Sequence, residues 1–259
     1  MNTPKDPVVA ISRSETQCAD CQVRERALFQ GIRLDQLQWT QHYREKQIRV
    51  KARTPLFDEG KDHPYAYTLY SGWIMLSKTL ASGRRQILRF ALPGDFLGFL
   101  PVPDGPMNCS AYTLTDCKLC AFPREQVDAM MHENPHLAAR MAQLNARDLA
   151  FLQQVLLATG QKNARERLAS LLLQLYIRVR ALGVLVPDTT ENSIALPLSQ
   201  EKLADAVGMS KEHVNRTLRD LREEHLLEFK SRRLTVFDVD RLMEIADMDP
   251  EAVAEQALL

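Results

Sequence analysis

Leu198 to Phe229, LSQEKLADAVGMSKEHVNRTLRDLREEHLLEF, constrains this chain more than any other stretch. Its spacing predicts two short helices joined by a tight turn. Ser199 caps the first helix, which buries Leu203, Ala204 and Val207. Gly208 ends it, because glycine tolerates the left-handed conformation that closes a helix. Ser210 caps the second helix, where Val214, Leu218 and Leu221 recur at spacings of four and three and form the buried side. Lys211, Glu212, Asn215, Arg216, Arg219 and Arg222 are left on the other faces.

Many amphipathic helices carry such polar faces only to meet water, so the chemistry of the groups has to decide. A helix-turn-helix presents the start of its second helix to base edges in the major groove. Arg pairs bidentately with guanine O6 and N7, and Glu accepts from cytosine N4. Glu212 and Arg216, one turn apart, match the two sides of one G·C pair. Lys211, Arg219 and Arg222 then suit phosphates or neighbouring bases. Downstream, Leu226–Phe229 and Leu234–Phe237 read as two strands around the basic turn Lys230, Ser231, Arg232, Arg233. That is the wing of a winged helix, with Arg232 near a phosphate backbone.

The 259 residues carry no net charge, so attraction to a polyanion has to be local. Lys211 to Arg233 holds seven Lys or Arg against five acids, whereas Asp238 to Glu255 holds seven acids and one Arg. No apolar run reads as long enough to span a bilayer, and residues 1–17 lack the apolar core of a signal peptide. A cytosolic protein is expected, whose five cysteines are reduced, metal-bound or redox-active rather than disulfide-bonded.

Upstream the pattern changes. Residues 1–17 read as a flexible arm, followed by the pair Cys18 and Cys21 in a C-x2-C spacing that can place two thiolates on one metal or cluster. Residues 34–44 read as a short helix. From Ile48 to Phe122 short alternating segments are punctuated by turn residues, which predicts seven strands in a jelly-roll-like β-barrel. A helix from Pro135 to Thr159 repeats Ala138, Ala142, Asn145, Leu149, Leu152 and Leu156 at four and three, the seam of a two-stranded coiled coil. A second apolar row, Leu137, Met141, Leu144, Phe151 and Val155, flanks it, so burial on both sides and a homodimer are expected. Asn163–Arg180 is another amphipathic helix, and an acidic helix closes the chain. The whole is α+β: arm 1–28, barrel 29–134, dimerisation helix 135–160, winged helix-turn-helix 161–259.

This order of parts resembles the CRP/FNR superfamily of bacterial transcription regulators over essentially the whole chain. The resemblance is carried by YSGWIMLSKTLASGRRQILRFALPGDFLGF in the barrel, KNARERLASLL after the long helix and MSKEHVNRTL in the second helix of the pair. It implies a homodimer on double-stranded DNA that works with RNA polymerase, with Ser199, Ser210, Lys211, Glu212, Asn215, Arg216, Arg219 and Arg232 at the DNA and Ala142, Asn145, Leu149, Leu152 and Leu156 in the dimer seam. Glu212 and Arg216 match the base readers shared by both branches, which implies an inverted repeat with a TGA/TCA core. Asn215 stands where the oxygen-sensing branch usually has Ser, so the flanking bases stay open.

The signal is less defined. The cyclic-nucleotide branch has an acid after the glycine of its barrel turn and a later Arg-Ser pair for the phosphate. Here the chain reads Gly98-Phe99 and Asn108-Cys109-Ser110, and a buried phosphate without a cation is costly, so cyclic AMP is not expected. The oxygen-sensing branch holds a [4Fe–4S] cluster on four cysteines. Cys18, Cys21 and Cys120 match three of them, and Phe29 stands at the remaining position. Cys117, assigned to the same strand face as Cys120, would substitute only with rearrangement; Cys109 is a further candidate. A cluster, a thiol switch sensing oxygen or redox state, and plain core thiols all remain open. That branch also tends to place an acid in the dimer seam at the position matched by Leu152, which implies a dimer independent of its signal. Two other function classes stand beside the regulator: a ligand-binding sensor acting through protein partners, and a redox enzyme. No His, Asp or Glu constellation accompanies the cysteines, so no enzyme is expected.

Overall fold

A computed structural model describes residues 8–11, 16–33, 39, 42–100 and 105–249. The chain divides into two compact units, Met1–Lys78 with Arg89–Asn145, and Thr79–Leu88 with Ala146–Leu259. The fold is α+β, as the sequence reading expected.

The first unit is built on antiparallel strands β1 (Val8–Ile11), β2 (Lys46–Val50), β3 (Pro55–Phe57), β4 (Tyr65–Ser71), β5 (Ile74–Thr79), β6 (Arg85–Ala91), β7 (Phe96–Leu97), β8 (Ser110–Thr113) and β9 (Cys117–Pro123). They form a five-stranded sheet in the order β1-β2-β9-β4-β7 and a four-stranded sheet in the order β3-β8-β5-β6. One core contains Ile48, Val50, Leu69, Ile74, Leu76, Ala111 and Leu119. A second gathers Leu28, Phe29, Phe122, Met130, Leu137, Met141 and Leu144. The last three of these lie on α2 (Pro135–Gln161), which follows α1 (Arg124–Glu133). Where β4 turns into β5 the backbone passes too close for any side chain. A Cβ at Gly72 (φ 99°) would sit 2.6 Å from both Asp116 O and Cys117 Sγ.

Two parts of the reading need correction. Residues 8–11, taken as flexible arm, pair with β2, Val8 opposite Val50. Cys117 and Cys120 do not share a face. They are three positions apart on β9, and the strand repeat of two sends them to opposite sides. Cys117, Leu119 and Ala121 enter one core, Cys120 and Phe122 the other. The helix expected at 34–44 falls largely outside the described residues. Strands β1 and β7 and helix α1 were not anticipated, and the other seven strands of this unit answer to the seven expected between Ile48 and Phe122.

The second unit is organised by α3 (Ala164–Leu182), whose start is fixed by a capping box. Asn163 Oδ1 accepts from the Glu166 backbone N–H, and the Glu166 carboxylate accepts from the Asn163 N–H. Leu168, Leu172, Leu173 and Val179 on α3 are fully buried. Around it lie β10 (Ser193–Ala195), α4 (Gln200–Val207), α5 (Lys211–Glu223), β11 (Leu227–Lys230), β12 (Arg233–Val236) and α6 (Val239–Ala246). The strands form a small sheet in the order β10-β12-β11. Ala164–Leu185 is long and apolar enough to cross a membrane by composition, which the reading of the sequence passed over. Its leucines are the core of this unit, packed beneath α4, α5 and α6, and that accounts for its hydropathy.

Candidate nucleic-acid interface

The helix pair forms because each end is chemically specified. Ser199 Oγ accepts from the Lys202 N–H at 3.3 Å, and Ser210 Oγ accepts from the His213 N–H at 3.2 Å. Gly208 closes α4 in the left-handed region, φ 66° and ψ 41°. Both serine hydroxyls are thus committed to caps, while their residues stay exposed at the start of each helix. Val214, Thr217, Leu218 and Leu221 are buried, which fixes the rotation of α5 about its axis.

That rotation turns Lys211, Glu212, Asn215, Arg216, Arg219 and Arg222 outward, all exposed. Glu212, Asn215, Arg216, Arg219 and Arg222 line one open groove of about 530 Å³. Gln200 on α4 and Phe229 on β11 also line it, neither of which sequence reasoning singled out as a site residue. Arg219 lies 4.0 Å from Glu223, both exposed, a pairing that contributes little. Lys211, Glu212, Asn215 and Arg216 have no side-chain hydrogen bond or ion pair among the described residues. Four polar groups at helical spacing therefore stand free to meet a ligand.

The wing turn is Ser231-Arg232, with φ of 51° and 59°. Two consecutive left-handed residues match the tight hairpin turn that follows strand twist. Arg232 and Lys230 remain exposed. Arg233 instead donates to Asp188 O at 2.9 Å and Ser193 Oγ at 3.0 Å, so only part of the basic turn is available.

In the first unit, Cys18 and Cys120 are buried in the same core as Phe29. Burial pushes the Cys21 thiol up to about 11, opposed by a hydrogen bond from the Val23 backbone and helped by its nearness to Cys120 and Cys18. Gln47 Nε2 donates to Cys120 Sγ at 3.3 Å. Phe29 packs on Phe122 with ring centroids 5.5 Å apart. Cys117 is elsewhere, donating to Trp73 O at 3.4 Å and Thr115 O at 3.3 Å. These residues do not fit a [4Fe–4S] cluster, which takes four thiolates. Cys18 and Cys120 share one core, the remaining position is an aromatic ring packed in that core, and among the described residues no group of three or more ligating side chains could hold a metal ion. Cys109 is half-buried in the field of Arg89, Glu59 and Lys78. Arg89 is itself buried at 8% exposure, a barrel cation the sequence reading overlooked.

Comparison with known proteins completes the picture. The Crp-like helix-turn-helix domain matches residues 166–245, and the cyclic nucleotide-binding domain matches residues 47–134. The transcriptional activatory protein AadR of Rhodopseudomonas palustris is 30% identical over 199 residues, covering 77% of this chain and 80% of its own. The chain belongs to the CRP/FNR family of transcription regulators. The transcriptional activator FnrL of Cereibacter sphaeroides is 29% identical, over 91% of this chain and 94% of its own. FixK2 from Bradyrhizobium japonicum shares the fold, with a TM-score of 0.69 and 24% identity over 77% of this chain and 96% of its own. As a member of this family the protein is a DNA-binding transcription regulator acting through its helix-turn-helix, and not an enzyme. A sensor working only through protein partners, the other reading of the sequence, leaves the free polar face of α5 unexplained.

Proposed function

We propose that two copies of the chain bind an inverted repeat with a TGA/TCA core, each α5 entering one major groove. The observation that carries this reading is the free pair Glu212 and Arg216 on the outward stripe of α5. Arg216 is suited to the guanine of the core and Glu212 to the cytosine opposite, while Lys211, Arg219, Arg222 and Arg232 are suited to phosphates or flanking positions. Ser199 and Ser210 contribute through the helix ends they cap. The dimer reading is supported by the exposed seam of α2, where Ala142, Asn145, Leu149, Leu152 and Leu156 face away from the core. On this reading residues 29–134 sense, 135–160 dimerise and 161–259 bind DNA, with RNA polymerase as the downstream partner. Phe99 stands in place of the acid of the cyclic-nucleotide branch, and Asn108-Cys109-Ser110 lacks the arginine of its Arg-Ser pair, so cyclic AMP is not the signal we assign. The thiols Cys18, Cys21 and Cys120 are read as packing groups rather than a redox centre, supported by the burial of Cys18 and Cys120 in the core that holds Phe29.

Arg216→Ala tests the base-reading assignment. Fluorescence anisotropy on a TGA/TCA duplex should register a loss of about 1–3 kcal/mol, with relaxed preference at the G·C pair. Unchanged affinity and unchanged preference would remove Arg216 from the interface.

A further inference from the structure

The motif KNARERLASLL is not used up by the DNA-reading face, yet its side chains grip the helices of the unit that carries that face. Helix α2 ends at Gln161 and α3 begins at Ala164, leaving two residues of elbow. Residues 146–161 fall in the same compact unit as the helix-turn-helix. Lys162, in the elbow, is buried at 8% exposure. Its ammonium donates to Ala246 O, to Asp247 O at 3.2 Å and to Ser170 Oγ at 3.2 Å. These carbonyls are the last of α6, the negative end of a helix, where a cation is favoured. Arg165 forks onto Glu224, donating to Oε1 and, at 2.6 Å, to Oε2. Glu224 is the C-cap residue of α5. Arg167 adds a contact from α3 to Val207 O, the end of α4, at 3.4 Å.

The elbow is therefore fastened to α6 and α3 by a buried ammonium, and the bidentate ion pair just beyond it ties the start of α3 to the recognition helix. Swinging α2 about the elbow would pull Lys162 away from the α6 carbonyls and Ser170, while the fork makes α5 follow whatever angle α3 takes. We propose that Lys162 and Arg165 are positioning residues that set which half-site spacing the protein accepts. The proposal rests on the dimeric reading above. In a dimer zipped along α2, the angle at each elbow fixes the distance and rotation between the two α5 helices. Adding one base pair shifts a half-site by about 3.4 Å and turns it by about 35°. A fastened elbow tolerates that poorly; a loose one follows it.

The test uses the full chain and duplexes whose TGA and TCA halves are separated by spacers differing by single base pairs, together with a duplex holding one half only. The wild-type protein should prefer one spacer over its neighbours by about tenfold, and Lys162→Gln or Arg165→Glu should reduce that to about twofold. Their affinity for the single half should stay at the wild-type value, which a merely structural role would not permit. Arg165 and Glu224 are partly exposed, with side-chain exposures of 33% and 49%, so the exchange Arg165→Glu with Glu224→Arg gives a folded control that should regain the spacer preference. Variants that weaken every duplex by the same factor, or that keep the wild-type spacer profile, would overturn the proposal. A wild-type protein that binds none of the duplexes would instead remove the operator reading, and the spacing role with it.

Discussion

Leu152→Glu is the substitution whose effect on the dimer can be worked out most fully. Leu149, Leu152 and Leu156 are 57%, 42% and 74% exposed in the single chain. Fully covering them in a pair buries roughly the equivalent of three to four exposed leucines, about 5–10 kcal/mol before association costs. Leu152 supplies about 1–2 kcal/mol of that for the pair. A parallel seam brings the two copies of position 152 within about 6 Å, where carboxylates at an effective dielectric near 20 repel by about 3 kcal/mol. The two losses together come to about 4 kcal/mol, close to a thousandfold in dimer dissociation. Leu152→Ala removes only the burial and should weaken the dimer by about tenfold or less. Sedimentation velocity across a concentration series reads both. The wild-type protein should remain dimeric at micromolar concentration whether or not iron or reductant is present. A Leu152→Glu protein that dimerises like the wild type would refute the seam.

Two further outcomes follow from the first unit. Burial first, and Arg124 second, lower the pKa of His63 below its ordinary 6.5. Its ring Nε2 lies 2.8 Å from Tyr67 Oη, and the fold favours the neutral form. The unfolded chain then binds more protons below about pH 6.5, so this contribution to stability is complete above that value and declines as the pH falls toward the lower folded pKa. Urea midpoints for His63→Gln should show a shallower loss as the pH falls below about 6.5 than the wild type; parallel curves would contradict it. For the thiols, Cys18→Ser and treatment with peroxide should each leave DNA affinity within about twofold of the untreated protein, because Cys18 and Cys120 are buried where an oxidant has little access. A peroxide effect abolished by Cys18→Ser would restore the redox reading.

The helix-turn-helix was legible because its signals are local. Ser199, Gly208 and Ser210 mark the ends, and Val214, Leu218 and Leu221 mark the buried side without help from the rest of the chain. The wing was legible as a basic turn, but the inward course of Arg233 depends on Asp188 and Ser193, about forty residues away, and nothing nearby announces it. Barrel strands came through because alternation and turn residues agree. Strand β7 is only two residues long and carries too little pattern to find. The face of Cys117 was a matter of parity along β9, and counting positions would have separated it from Cys120. Arg89 was hidden for a different reason: an arginine in a strand reads as solvated, and only the folded barrel shows that it is buried. The grip of Lys162 and Arg165 joins segments some sixty to eighty residues apart, which no spacing rule connects.

Hydroxyl-radical footprinting of the full chain on a duplex carrying inverted TGA and TCA tests the central claim most directly. Two protected tracts about one helical turn apart, each centred on a half-site and both lost with Arg216→Ala, are the predicted result. A single tract, or protection indifferent to the TGA and TCA sequences, would contradict it.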